Sequence, residues 1–300
     1  WKYGLASTWI GLGNALIGSL LAWVILGRRT RVMTKHLGSA TMPEFFGSRF
    51  GSGSLKIAAS IIIFIFLIPY TASVYNGLSR LFEMAFHVPY QVCVIAMALL
   101  TAVYVILGGY MATAINDFIQ GIVMLIGIVA VILSVLHQQG GFVEAVGTLA
   151  QIPSEVPLTA GQPGAYASFF GPDPMNLLGV VILTSLGTWG LPQMIHKFYT
   201  IRSEKAIATG TVISTIFAIV ISGGSYFLGG FGRLYDSPEI YTAQGAVAYD
   251  SIVPTMLSGL PDILIGVVVM LVLSASMSTL SSLVLTSSST LTLDFIKGTL

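Results

Sequence analysis

Long apolar runs, separated by short polar segments, dominate the chain. Seven of them are about 20 residues or longer and nearly free of charge, the length that an α-helix needs to cross a bilayer. The second and the last are longer, at about 30 residues or more. The predicted spans are Ser7–Gly27, Lys56–Phe86, Pro89–Leu107, Thr113–Leu136, Met175–Tyr199, Lys205–Gly230 and Leu260–Ile296.

The polar segments between the runs have their own signals. The stretch TMPEFFGSRFGSGS predicts a short interfacial helix with a Gly/Ser tail, and Gly108 with Gly109 predicts a tight turn. Two segments, 138–174 and 231–259, are long loops. The second contains a pattern for a short helix from Ala243 to Leu257.

Composition agrees with this pattern. Apolar residues make up 55% of the chain and charged residues 8%, whereas a soluble domain carries about 25% charge. Such a chain cannot cover itself with a water-facing surface, so the predicted class is an all-α polytopic membrane protein.

The same counts exclude several functions. A formal net charge of +1 gives no reason to expect a nucleic-acid partner. The single cysteine, Cys93, excludes an intramolecular disulfide and a cysteine-rich metal site. The chain has no phosphate-binding loop, no HExxH and no GxGxxG after a strand, so an enzyme is not expected. No obligatory protein partner is evident either.

Basic residues predict the orientation. With the Arg28–Lys56 segment in the cytoplasm, ten of the 13 lysine and arginine residues fall on the inner side. The loop after Leu136 contains none, so both long loops are expected outside the cell. The predicted location is the cell membrane, with a single transmembrane domain over 1–300.

Span lengths then suggest an internal symmetry. A span of ordinary length is followed by an unusually long one twice, once near each end of the chain, and the two pairs run in opposite directions. An inverted-topology repeat, common among secondary transporters, gives this pattern. Coincidence is the alternative, because the two halves show no visible sequence identity.

The segment GTWGLPQ interrupts the fifth span. Two glycines and Pro192 weaken a helix there, and the proline removes one backbone hydrogen bond. One interpretation is a broken helix whose backbone, with Thr188, Trp189 and Gln193, faces a solute near the membrane midplane. The other is an ordinary proline kink.

Hydroxyl side chains crowd the last span. Between Ser274 and Thr292, 12 of 19 residues are Ser or Thr. Most are explained by hydrogen bonds to the preceding turn and by close helix packing. Ala275, Ser278, Thr279 and Ser282 nevertheless share one helix face, and oxygen ligands suit a hard cation such as Na⁺.

Two further polar residues are candidates for a pathway. Asp117 is either a favourable charge near a helix N-terminus or a carboxylate on a cation path. Asn14, inside the first apolar run, either lines a solute pathway or forms hydrogen bonds between helices.

Four stretches resemble the sodium:solute symporters, a family that includes proline, pantothenate and sodium/sugar cotransporters. They are TMPEFFGSRFGS, GGYMATAINDFIQGIVML, GTWGLPQMIHKFYT and SASMSTLSS with the following LTLDF, and they occur in family order over nearly the whole chain. The resemblance implies a leucine-transporter-type fold, two inverted five-helix repeats with extra helices. The seven spans would be core helices two to eight, without the first and last core helices.

The resemblance also assigns roles. By it, Ala275 supplies a carbonyl ligand to sodium, Ser278 and Thr279 supply hydroxyl ligands, and Asp117 lies on the sodium path. The segment from Thr188 to Gln193 matches the broken helix that meets the solute.

One departure concerns the solute. Proline symporters carry aromatic residues at the positions of Thr184 and Thr188, and this chain does not. The resemblance therefore implies a different pocket, for another amino acid, pantothenate, a sugar or a carboxylate.

The expected function is sodium-coupled symport of a small organic solute by alternating access, with Na⁺ as the coupling ion and the lipid bilayer as surroundings. The alternative is a solute-sensing membrane module of the same fold, fused to a signalling domain.

Overall fold

The apolar runs fold as long helices in the computed structural model. The structure describes residues 1–201, 203–242 and 244–297. Arg202, counted among the inner basic residues, and Ala243, the predicted start of a loop helix, therefore lie outside the described residues. The helices are α1 (Gly4–Leu37), α2 (Met42–Phe50), α3 (Gly53–Phe86), α4 (Tyr90–Gln138), α5 (Phe142–Gln151), α6 (Pro174–Gly187), α7 (Pro192–Thr200), α8 (Glu204–Ala218, continued by Gly224–Gly229), α9 (Tyr249–Ser258) and α10 (Asp262–Ser289, continued to Ile296).

The number of membrane-spanning segments matches the prediction. In the described chain, six helical segments are long and apolar enough to cross a membrane. The pair Pro174–Gly190 and Pro192–Tyr199, bent by 47°, makes a seventh when counted as one span. Over the same residues, extended pairing is limited to one isolated bridge between Tyr241 and Val247. The all-α polytopic class is confirmed, while the inverted repeat stays a prediction.

Helix α4 contains two of the spans, Tyr90–Gly108 and Ala114–Gln138. The Asn116 Nδ2 donates a hydrogen bond to the Tyr104 hydroxyl across 2.9 Å. A straight helix would hold residues this far apart in sequence at about 18 Å. The axis therefore bends sharply between them, where the glycine pair predicted a turn, although the backbone stays helical.

Helix α1 extends beyond its predicted end. The apolar run stops at Gly27, but the helix continues through charged residues to Leu37 and ends at Gly38, which adopts a left-handed φ of 67°. The end of an apolar run marks the membrane boundary and not the end of a helix, because lysine and arginine are good helix formers.

The long helices pack as two groups. In the first group, α1 packs against α6 and α8. In the second, α10 packs along α3 and α4.

Glycines allow the close approach within the first group. A Cβ on Gly11 would collide with the Ser222 carbonyl oxygen in the π-helical turn of α8, and one on Gly13 would lie 2.5 Å from a Val181 methyl of α6. Small residues at these contacts bring backbones together, as is typical of membrane helices.

Hydrogen bonds at the two ends of the bundle join different segments of the chain. At one end, Arg233 donates to a Glu155 carboxylate oxygen across 3.0 Å, and Gln138 Nε2 donates to the Gly259 carbonyl oxygen across 2.7 Å. Both long loops therefore lie at this end, and they contain α5 and α9. At the opposite end, Arg31 donates to the Tyr199 carbonyl oxygen across 2.7 Å. The loops share one side, as predicted; which side faces the cytoplasm stays a prediction.

Candidate functional site

The predicted interruption of the fifth span is present as a break between α6 and α7. Helix α6 ends at Gly187, a 3₁₀ turn covers Thr188–Gly190, and α7 begins at Pro192. Leu191, between them, is extended, with φ −67° and ψ 121°. A proline disfavours helical backbone in the residue before it and is well accommodated at the first helical position, so this sequence ends one helix and starts another.

Side chains of the break are docked on α1. The Trp189 Nε1 donates to the Ile17 carbonyl oxygen across 2.8 Å, and the Thr188 hydroxyl lies 3.2 Å from the Gly18 carbonyl oxygen. Both acceptors belong to a π-helical stretch, Asn14–Leu21, whose wider turn alters the regular pairing of carbonyl oxygens. A Cβ at position 18 would lie only 2.8 Å from the Thr188 hydroxyl oxygen, so glycine leaves room for the Thr188 side chain. The break therefore packs against the π-helical stretch of α1 and is held there by hydrogen bonds to its carbonyl oxygens.

A cavity of about 240 Å³ lies between the two groups of helices, beside this break. We call it the central cavity. Its walls come from α1, α3, the break, α7 and α10. The lining residues are Asn14, Gly18, Ser19, Tyr70, Thr188, Leu191, Gln193, Met194, Lys197, Ser278, Thr279 and Ser282. Three of the predicted solute residues and both predicted hydroxyl ligands of sodium thus share one cavity.

The α10 side of the central cavity presents oxygen atoms. The Thr279 hydroxyl donates to the Ala275 carbonyl oxygen across 2.9 Å, and the Ser282 hydroxyl donates to the Ser278 carbonyl oxygen across 3.1 Å. A hydroxyl that donates its hydrogen to the helix keeps its lone pairs free for a cation. Back-bonding and cation binding are therefore compatible on this face.

A second cavity, of about 80 Å³, lies beside the first and contains Asp117. We call it the acidic cavity. The Asp117 Oδ1 and the Gln193 Oε1 are both buried there without a hydrogen-bond partner. The Ser278 hydroxyl donates a hydrogen bond to the Asp117 carboxylate, and the positive charge of Lys197 attracts it. Buried acceptors without donors are rare in proteins, and a cation or a water molecule in this cavity would satisfy both of these oxygens.

Two predicted solute residues face elsewhere. The Thr184 hydroxyl donates to the Val180 carbonyl oxygen in its own helix across 2.8 Å and does not line the central cavity. Trp189 is also outside that lining, because its ring is turned toward α1. Their assignment as solute-binding residues stays a prediction.

Lys197 and Tyr70 are among the residues that line the central cavity without having been predicted from the sequence. The signal for Lys197 was its position four residues after Gln193, which places both side chains on one face of α7. Tyr70 follows Pro69 inside α3, and nothing in its local pattern separates it from an interfacial tyrosine.

A buried carboxylate at the end of α10 was also missed. Asp294 is 1% exposed, accepts a hydrogen bond from the Thr41 hydroxyl across 2.7 Å and lies 3.5 Å from the Lys56 ammonium. Thr41 also caps α2, since its oxygen accepts from the Glu44 backbone N–H. The cluster therefore joins the start of α2, the start of α3 and the end of α10.

Comparisons with known proteins agree with this architecture. The model of the sodium:solute symporter family matches residues 1–299. Sodium/proline symporters of Staphylococcus aureus, of its strain JH9 and of its strain Newman are each 30% identical to this chain over 308 residues. These matches cover 98% of this chain and 55% of each relative, so the chain spans about half the length of the curated relatives it matches.

Both the family description and the relatives' names refer to transport and not to an enzymatic reaction. The match runs from the start of α1 past the end of α10 and so includes the break, both cavities and the oxygen-bearing face. The chain belongs to the sodium:solute symporter family.

Proposed function

We propose that the protein containing this chain carries out sodium-coupled symport of a small organic solute by alternating access. The observation that carries the proposal is the central cavity, where the broken helix of the first group meets the oxygen-bearing face of α10. Binding sites of secondary transporters are built from such interrupted helices near the membrane midplane.

Sodium binds at Ala275, Ser278 and Thr279 in this proposal. The carbonyl oxygen of Ala275 and the two hydroxyl oxygens lie within about one turn of α10, and oxygen ligands are those that hard cations prefer. All three ligands are neutral, so they hold a monovalent ion without trapping it. Further ligands come from other parts of the whole protein.

The solute binds on the opposite wall of the central cavity. Asn14, Thr188 and Gln193 offer amide and hydroxyl groups there. Thr184 and Trp189 complete the proposed solute site; Trp189 anchors the break to α1 by its hydrogen bond, and Thr184 lies one turn before Thr188 in the chain. Asp117, in the acidic cavity, lies on the path by which the ion leaves.

Coupling is thermodynamic. If bound sodium raises the affinity for the solute, the solute must raise the affinity for sodium by the same factor. Residues 1–300 form part of a single transmembrane domain of the cell membrane, with the 138–174 and 231–259 loops outside and the Arg28–Lys56 segment in the cytoplasm. The leucine-transporter-type inverted repeat belongs to the same proposal.

The test uses the full-length protein in proteoliposomes. An inward sodium gradient is expected to drive accumulation of one among labelled proline, pantothenate, sugars and short carboxylates. An equal potassium gradient is the control. Equal uptake of every compound under both gradients would contradict the proposal and favour a sensor that binds its solute without moving it.

A further inference from the structure

Helix α2 is fastened to the second group by polar contacts and close packing. The Thr41 hydroxyl, at the start of α2, donates to the Asp294 Oδ1 at the end of α10 across 2.7 Å. The Lys56 ammonium, from the start of α3, lies 3.5 Å from the same oxygen. A Cβ on Gly47 would lie 2.9 Å from the Lys56 Cβ, so α2 and α3 are in close contact. We therefore expect α2 to move with α3 and α10.

Apolar side chains of α2 pack on the first group. Met42 and Phe45 lie three positions apart, on one side of the helix, and contact a buried cluster from α1, α7 and α8. The buried residues of this cluster are Trp23, Ile195, Phe198, Tyr199 and Ile207. Helix α2 thus bridges the two groups, with polar contacts to one and apolar contacts to the other. Apolar contacts are non-directional, so they can separate and re-form without a specific geometry.

This bridge lies at the end of the bundle opposite the long loops, beyond the acidic cavity. That cavity is lined by residues of α7 and α10, among them His196 and Thr286. Asp294 lies about two turns further along α10 than Thr286, or roughly 12 Å at the rise of a helix. Helix α2 contacts both α7 and the end of α10. A path from the acidic cavity between these two helices toward that end therefore meets α2.

A buried hydroxyl makes the contact between α2 and the first group easier to open. The Tyr199 hydroxyl belongs to the cluster that faces Met42 and Phe45, and it is buried without a hydrogen-bond partner among the described residues. Burying such a group costs free energy, which its hydration recovers once the contact opens. The closed arrangement is therefore stabilised by less than its apolar contacts alone would give.

We propose that α2 is a gate on the path from the acidic cavity, closed while Met42 and Phe45 lie against the cluster around Phe198 and open when they separate from it. The inference rests on the proposed function, because alternating access requires the binding region to open to one side of the membrane at a time. It deepens that function by naming the contact that opens and by assigning α2 to the half of the bundle that contains α3 and α10.

The test measures how fast a cysteine in the acidic cavity reacts, in the full-length protein with Cys93→Ser. Leu285 lines that cavity and is replaced in Leu285→Cys. A membrane-impermeant maleimide is added to vesicles in which it also labels Lys35→Cys, an exposed position at the same end of the bundle. Phe45→Ala removes a closing contact and is expected to raise the rate at Leu285→Cys about tenfold, which corresponds to about 1.4 kcal/mol. Phe50→Ala, the same change at a position of α2 that is 66% exposed, is the matched control and is expected to leave the rate unchanged.

An unchanged rate at Leu285→Cys in the Phe45→Ala variant would overturn the inference. General loosening of the fold is tested with Val135→Cys, at a position that is 0% exposed and packs with Met256 of α9. An equal rise in rate at Val135→Cys would overturn the inference as well, because a gate at α2 leaves that distant position closed. Failure of the proposed function looks different: the parent protein would then show no sodium-driven uptake, whichever way the labelling rates turn out.

Discussion

The Thr279 hydroxyl donates its hydrogen to the Ala275 carbonyl oxygen across 2.9 Å, one turn earlier in α10, and Thr279 lines the central cavity beside the broken helix. This bond fixes the rotamer of Thr279, so the remaining lone pairs of its oxygen keep one direction. A ligand that is already oriented costs less entropy when the ion binds.

Replacing Ser278 and Thr279 together with Ala is expected to raise the sodium concentration for half-maximal uptake by about tenfold or more, because the loss of two ligands removes well over 1.4 kcal/mol of binding energy. Uptake by the full-length protein is measured against sodium concentration. Ser288→Ala is the matched control, since that hydroxyl is exposed and bonded only to its own helix. An unchanged sodium dependence in the double variant would contradict the assigned site.

Asp294→Ala is expected to lower the stability of the protein by about 1–3 kcal/mol, because Thr41 and Lys56 then lose their common partner. The measurement is thermal unfolding of the full-length protein in detergent. Asp262→Ala removes an exposed carboxylate at the other end of α10 and is expected to cost less than about 1 kcal/mol. Equal effects of the two changes would mean that the buried cluster does not stabilise the fold.

Gly11→Ala is expected to destabilise the first group by about 1–3 kcal/mol, because the added methyl collides with the backbone of α8. Gly179→Ala is the control within α6, where an added methyl meets open space. The two variants are compared by the temperature at which the detergent-solubilised protein loses its helical signal. If Gly11→Ala were as stable as Gly179→Ala, α1 and α8 would not be as close as described.

Single cysteines test the orientation. Leu158→Cys, at an exposed loop position, is expected to react with a membrane-impermeant maleimide on intact cells. Lys35→Cys is expected to react only after permeabilisation. The native Cys93 is 5% exposed and gives a low background. The reverse pattern of labelling would invert the assigned topology.

Sequence alone predicted the spans and the interruption of the fifth span between Gly187 and Pro192, and the structure decides for a broken helix over an ordinary kink. Both features depend on neighbouring residues, through apolar run length and proline geometry.

The pairing of Asp294 with Thr41 could not be predicted in the same way. The two residues are 253 positions apart, and their contact depends on how α2 packs against α10. Likewise, the side chain of Trp189 turns away from the cavity because Ile17 offers it a carbonyl oxygen, and no local pattern contains that information.

The glycine contacts of α1 have a mechanical consequence. Where Gly11 and Gly13 meet α8 and α6, backbone and side-chain atoms of the neighbouring helices are already in close contact, and no long side chain is present to absorb a displacement. That seam is stiff. Between the two groups, Tyr70, Met194 and Lys197 fill the boundary with side chains that can change rotamer. The boundary that holds the central cavity is therefore expected to deform more easily than the contacts of α1 with α6 and α8.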